Sequence, residues 1–446
     1  MSIDNKKIHI LGGGPAGIAL AHYANKKNIS FSLFESSDSV GGNAKTIRRG
    51  DFLFDTGAHR FHDKNEKVTL EIKEILKGDL HEVSSPSKIF WNNNLIDFPL
   101  SISSIFKNIN LKTNFKIIVE NLLALKLGNK KLQNFQDFAY CSYGKTISDL
   151  FLINYSEKLW GESASKLSVD IVGGRLNNLD LRSIFKELFL KETGKAKHLD
   201  GNFLYPKYGF GSIFTSIYKR LDFKDVFLDS SISKLILKDN RIRSIVINDE
   251  YELPVNNIVS TLPLPVLISR LNNVPEEMVR LASNIRYRSL KLVVFFLNKK
   301  NFSLNASLYF PDKNIPFTRI YEPKNRSEYM APDNQTSIVV EVPYNVDKLI
   351  SKNIKEWNAT SIDSIKSFLI NNDFICDDDI LDYEVFDMPH AYPILDTKIS
   401  PIVSKISSYL DRIKNLSLLG RSAEFKYLHV HDLFSKSEKI VNTIVN

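Results

Sequence analysis

The sequence predicts an α/β fold in two parts, a strand–helix–strand unit at the N-terminus and an α+β domain of antiparallel sheet and helices further along. Three observations predict it. Residues 7–12 form a short apolar run that reads as a buried strand, residues 15–27 read as a helix, and residues 30–35 read as a second strand. Connections this short make a βαβ unit. From about 101 to 195, apolar residues recur at three- and four-residue spacing, as in Phe115-Lys-Ile-Ile-Val-Glu-Asn-Leu-Leu-Ala-Leu, which predicts a mainly helical subdomain. Short β-rich runs at 225–260 predict a small antiparallel layer, and those at 290–297, 307–310, 318–321 and 337–342 predict a second sheet.

The remaining elements complete a discontinuous plan. Residues 66–77 read as a helix, Leu416-Ser-Leu-Leu-Gly as a strand, and 433–444 as a closing helix. With 446 residues the chain is long enough for more than one core. Its 43% hydrophobic and 25% charged residues are those of a globular protein. The net charge of +8 suits anionic small molecules, and no block of Lys and Arg points to nucleic acid as a partner. Cys141 and Cys376 lie far apart, so neither a disulfide nor a metal site is expected, and a reducing, cytoplasmic location fits. The N-terminus lacks a leader's apolar core, and no run of about 18 apolar residues predicts a membrane-spanning helix.

Gly12-Gly-Gly14-Pro15-Ala16-Gly17 follows the first strand and opens the first helix. Gly12 permits a tight turn, Gly14 a close approach of a pyrophosphate, and Gly17 close packing of helix on strand. The helix N-terminus, with Pro15 and Ala16, offers N–H groups to phosphate. Glu35, ending the second strand, can accept hydrogen bonds from ribose hydroxyls. This is a Rossmann-type dinucleotide site. A second loop, Gly41-Gly42-Asn43-Ala44-Lys-Thr46, brings further N–H groups that a simple NAD unit does not need. With Asp55-Thr-Gly57-Ala58-His59-Arg60 after it, this loop resembles the extended FAD signature of the amine-oxidase-like superfamily, and the resemblance implies FAD as the cofactor with His59 and Arg60 along the flavin.

These segments resemble the amine-oxidase-like FAD superfamily, in its UDP-galactopyranose mutase-like and protoporphyrinogen-oxidase-like branch. Tyr155-Ser-Glu157-Lys158-Leu-Trp160-Gly161, Tyr205-Pro206-Lys207-Tyr208-Gly209-Phe210-Gly211, Tyr287-Arg288-Ser289-Leu290 and Gly420-Arg421 with Tyr427 are similar to segments of that branch. The resemblance implies an FAD domain made of segments 1–100, 201–265 and 401–446, a helical subdomain at 101–200 and a substrate domain at 266–400. It implies that Arg288 contacts an anionic substrate group, which its planar guanidinium suits. It also implies that Gly420 and Arg421 close the cofactor site and that Tyr427 stands over the flavin.

The sequence departs from the mutases at Phe425, where they carry tyrosine, and at His429, where they carry an acid. An oxidoreductase on a small anionic or sugar-linked metabolite is therefore the leading expectation, with Arg288, Tyr427, His429 and His59 as its catalytic candidates. A nucleotide-sugar mutase using reduced FAD is the alternative, and a non-catalytic flavin-binding protein a second one. An oxidase of a porphyrin- or carotenoid-like lipid, held at a membrane, is a further alternative. Arg319, Arg326 and Glu341 are candidates for the substrate cleft or for a solvated face. The basic stretch around Lys112 and Lys116 is expected to be a helix packed on the substrate domain, so membrane contact is not expected. No oligomeric state follows from the sequence.

Overall fold

The computed structural model describes residues 6–98, 100, 102–124, 132–175, 202–345 and 354–445. The part of the expected helical stretch at 176–195 lies outside them.

The strand Ile8–Leu11, the helix Pro15–Lys26 and the strand Phe31–Phe34 form the βαβ unit. Both strands are buried along their whole length, as a two-sided parallel sheet requires. Ile8–Leu11 lies at the centre of five parallel strands, with Asn257–Ser260 and then Leu416–Leu418 on one side, and Phe31–Phe34 and then Val226–Phe227 on the other. One sheet thus draws on the start, middle and end of the chain. The closing helix Val430–Val445 packs on Pro15–Lys26. The three strands Ile232–Lys238, Arg241–Ile247 and Tyr251–Pro254 form an antiparallel layer, but of the runs expected in it Val226–Phe227 and Asn257–Ser260 pair parallel in the first sheet instead, because local pattern does not record the direction of a partner strand.

The second sheet has seven strands. Tyr287–Leu297 is buried along nearly its whole length between Thr336–Tyr344 and Ile380–Pro393, both antiparallel to it. Beyond Thr336–Tyr344 come Arg319–Tyr321, Ser307–Tyr309, Ser87–Trp91 and Asn94–Phe98. The hairpin Ser87–Trp91/Asn94–Phe98 therefore belongs to the substrate sheet, although the sequence boundary at 100 assigns it to the cofactor domain. A hairpin has the same local pattern whichever sheet it joins, and only the pairing of Ser307–Tyr309 with Ser87–Trp91 decides. Ile380–Pro393 has no clean alternation of apolar and polar residues and is not visible as a strand in the sequence.

Asp55 joins the two domains. It ends the strand Phe52–Asp55 and is fully buried. Its carboxylate accepts hydrogen bonds from Thr46 Oγ1 (2.6 Å), Tyr205 Oη (2.5 Å) and the Phe210 N–H (2.9 Å). Its backbone carbonyl accepts one from Tyr321 Oη (2.6 Å), on the substrate sheet. Burial raises its pKa, and these donors and Arg326 oppose that rise. Asp55→Ala leaves three buried donors without an acceptor and is expected to destabilise the protein by about 3 kcal/mol. In urea unfolding, its cost combined with Tyr205→Phe should fall short of the sum of the single costs, since both changes remove the same bond.

Candidate active site

The cofactor end of the site is a cradle of backbone. Gly12 has φ +106°, and a Cβ there would lie 2.3 Å from Thr261 Oγ1; a Cβ on Gly17 would lie 1.9 Å from the Gly12 carbonyl oxygen. Only glycine lets the turn close and the helix start against it. A Cβ on Gly42 would stand 3.1 Å from the Gly14 Cα, so the two glycine loops face each other. The helix Pro15–Lys26 begins with no side-chain cap, which leaves its first N–H groups for a ligand. Glu35 accepts from the Gly13 N–H (2.7 Å) and the Ser37 N–H (2.9 Å). At Gly420 a Cβ would lie 3.1 Å from the Ala16 Cβ, so the C-terminal segment meets the same helix start.

His59 stands beside the second glycine loop. Its Nε2 lies 3.1 Å from the Asn43 carbonyl oxygen, and its ring stacks on Phe210 at 5.0 Å. Burial pushes its pKa down to about 3, helped by Arg421, Arg326 and Arg319. A neutral imidazole facing a carbonyl donates from Nε2 and leaves Nδ1 as an acceptor. Arg60 bonds Ser87 Oγ (2.8 Å) and lies over the Phe203 ring at 4.8 Å, so it spans the two domains.

The substrate sheet contributes a wall of tyrosines around one ion pair. Arg319 donates to Glu341 through Nε (2.9 Å) and Nη2 (2.6 Å). Burial opposes the charge of Arg319, but Glu341, Tyr392, Tyr309 and Tyr155 hold its pKa well above the ordinary value. Tyr155 meets Tyr309 edge-on at 5.7 Å, and Tyr392 lies 5.7 Å from Trp160. The helix Asn154–Trp160 follows a π-helical turn, Ser148–Ile153, whose wider winding sets the direction of Tyr155.

Arg288 holds that helix in place. It donates to the Leu159 carbonyl (3.0 Å), the Lys158 carbonyl (3.0 Å) and Asn345 Oδ1. Burial lowers its pKa to about 10, and it stays charged. Its guanidinium is thus used on carbonyls at a helix C-terminus, where a cation is favoured. Lys158 adds a second strap through the Phe310 and Asp312 carbonyls, both at 2.7 Å.

At the C-terminal side, Arg421 lies over the Tyr427 ring at 4.5 Å and donates to the Leu428 carbonyl (2.8 Å). Tyr427 meets the His429 ring at 5.3 Å, and His429 stacks on His431 at 5.3 Å. Phe425 is buried against Tyr287 in an apolar cluster.

A family profile described as an NAD(P)-binding Rossmann-like domain matches residues 10–73, and one described as UDP-galactopyranose mutase matches residues 278–357. The UDP-galactopyranose mutase of Mycoplasma genitalium is 23% identical over 96% of this chain and 92% of its own length. The coproporphyrinogen III oxidase of Staphylococcus aureus is 23% identical over 59% of this chain and 62% of its own length. In structure, a reduced UDP-galactopyranose mutase superposes with a TM-score of 0.84 at 17% identity, covering 98% of this chain and 95% of that one. A protoporphyrinogen oxidase-like protein from Exiguobacterium superposes with a TM-score of 0.75 at 13% identity, covering 99% of both chains. Over nearly its whole length the chain is thus similar to flavoproteins of the amine-oxidase-like superfamily.

The cofactor of this flavoprotein is FAD, and the residues fit it. The facing glycines and the uncapped helix start suit a diphosphate, and Glu35 a ribose. The three arginines that depress the His59 pKa make the region around it positive, which suits a reduced, anionic flavin. Among the described residues there is no cluster able to hold a metal ion, and both cysteines are exposed and free.

The structure brings Gly12, Gly14, Pro15, Ala16, Gly17, Gly41, Gly42, Asn43, Ala44, Gly420 and Arg421 around one helix start, with His59 beside them. Arg288 faces the Asn154–Trp160 helix, and Arg319 is held by its fork to Glu341. Sequence reasoning missed Tyr309 and Tyr392, which lie on separate strands and share no motif.

The neutral His59 gives a test. In the unfolded chain it takes a proton below about pH 6.5, whereas the folded protein resists until about pH 3. Stability is therefore lost as pH falls through that window. His59→Gln should lack this loss, so the unfolding free energies of wild type and variant should converge or cross by about 1–2 kcal/mol between pH 8 and pH 5. An unchanged difference in urea titrations at the two pH values would refute the assignment.

Proposed function

We propose that this flavoprotein is a nucleotide-sugar mutase, exchanging the pyranose and furanose rings of a hexose carried on a nucleoside diphosphate. The observation that carries the reading is where the UDP-galactopyranose mutase profile falls. Residues 278–357 supply Arg288, Arg319 and Glu341. The mutase likeness therefore falls on the proposed wall of the substrate cleft, while the dinucleotide cradle is matched by the general Rossmann-like profile. The placement of Phe425 supports it too. That side chain is buried in the core, so its missing hydroxyl removes nothing from the cleft.

Reduced FAD, when bound, supplies the nucleophile for the anomeric carbon. The chain's own residues bind and orient. Tyr155, Tyr309 and Tyr392 offer ring faces to the base and hydroxyls to the sugar. Arg319 meets a diphosphate oxygen, held in direction by its fork to Glu341. Tyr427 and His429 serve the ring oxygen, where a proton must move when the ring opens and closes. Neutral His59 is an acceptor through Nδ1 beside the flavin. Arg288 positions the helix that carries Tyr155 and Trp160.

His429 favours a second reading, an oxidoreductase, because an imidazole next to Tyr427 stands where the mutases of the branch carry an acid. One set of assays separates the two. Dithionite-reduced enzyme is given UDP-galactopyranose and other UDP- and dTDP-hexopyranoses, and products are resolved by chromatography. Furanose formed only by reduced enzyme is the expected result. Arg319→Lys, which loses the bidentate fork, should cut kcat/KM by about tenfold or more. No ring contraction with any of these sugars, together with anaerobic bleaching of oxidised flavin by one of them, would overturn the mutase reading in favour of the oxidoreductase.

A further inference from the structure

The helix Leu111–Ala124 packs on the molecule with one face only. Ile117 and Asn114 are buried in it, and Asn114 Nδ2 bonds the Phe106 and Ile109 carbonyls (both 3.0 Å). The opposite face carries Leu111, Phe115 and Val119, which are 86%, 70% and 37% exposed. Their spacing of four residues makes them one ridge along the helix. Lys112 and Lys116 follow the first two by one residue and form a parallel cationic ridge. The preceding turn repeats the pair in Phe106-Lys107, both exposed. The acid on this helix, Glu120, accepts from the Thr146 N–H and hydroxyl at 2.7 and 2.9 Å and also lies 3.8 Å from Lys116 Nζ, which leaves Lys112 as the lysine of the ridge without an acid on the helix. Packing on the substrate domain, the sequence expectation for this stretch, thus accounts for Ile117 and Asn114 but leaves the apolar ridge and Lys112 unexplained.

We propose that this face docks the enzyme on an anionic lipid bilayer. The apolar ridge enters the boundary between headgroups and acyl chains, and the lysines beside it meet lipid phosphates. Charge decides against a second copy of the chain as the occupant. A two-fold interface sets a patch against itself, so Lys112 and Lys116 would oppose their own copies. No helix among the described residues is long and apolar enough to cross a membrane, so the contact is peripheral. It places the enzyme where a substrate or product with a lipid-linked sugar is found, although docking does not depend on the mutase reading.

The FAD-loaded protein is sedimented with phosphatidylcholine vesicles with and without about 30% phosphatidylglycerol. Binding to the anionic vesicles alone, weakened by high salt, is expected. Removing a lysine should weaken it about fivefold, so Lys112→Gln with Lys116→Gln should cost more than tenfold. Leu111→Ser with Phe115→Ser should abolish it. Flavin absorbance retained in both double variants shows that they are folded, and activity on a soluble substrate should not change. Equal binding to neutral and anionic vesicles, no binding to either, or double variants that bind like wild type would overturn the proposal. So would a wild-type dimer that Leu111→Ser with Phe115→Ser converts to monomer.

Discussion

A buried carboxylate with no solvent must find its donors inside the protein; Asp55 finds them on two separate stretches of chain, and its backbone carbonyl takes a donor from a third. Thr46 lies on the hairpin after the second glycine loop, Tyr205 and Phe210 on the return segment, and Tyr321 on the substrate sheet. The strand that ends at Asp55 runs directly into His59. The orientation of His59 toward Asn43 and the approach of the substrate sheet to the cradle are therefore set by one side chain and its carbonyl. An acid here is costly without its partners, and with them it admits one arrangement of the two domains.

The site between those domains is organised by positive charge with unequal freedom. Arg288 is committed to helix carbonyls, Arg326 is buried over the Tyr321 ring, and Arg421 lies over Tyr427. Arg319 is held by Glu341 at the wall of the cleft. Burial keeps His59 neutral, and all but Arg288 add to that effect. A site built this way stabilises negative charge on what it binds without a mobile cation having to move in, which is how preorganised charge contributes to catalysis.

Much of the cofactor half was legible in the sequence because its constraints are local. Gly17 is required by the Gly12 carbonyl of the same turn, Gly12 and Gly42 by their own positive φ, and Glu35 by the end of the adjoining strand. The cleft was less legible. Tyr155, Tyr309 and Tyr392 come from a helix and two strands, and the π turn before Tyr155 has no sequence signature. Phe425 looked like a change in chemistry because it falls in a motif, yet its side chain points into the core.

The sequence by itself determined the parallel sheet, the dinucleotide cradle and the superfamily, since a glycine that must avoid a clash and a strand buried on both faces leave a pattern in neighbouring residues. Only the tertiary structure decided that Ser87–Trp91 joins the substrate sheet, that Arg288 braces a helix, and that Leu111, Phe115 and Val119 remain exposed. Each of these depends on which distant segment arrives opposite. Strand pairing and helix docking are chosen by the summed burial of the whole chain, which no local stretch records.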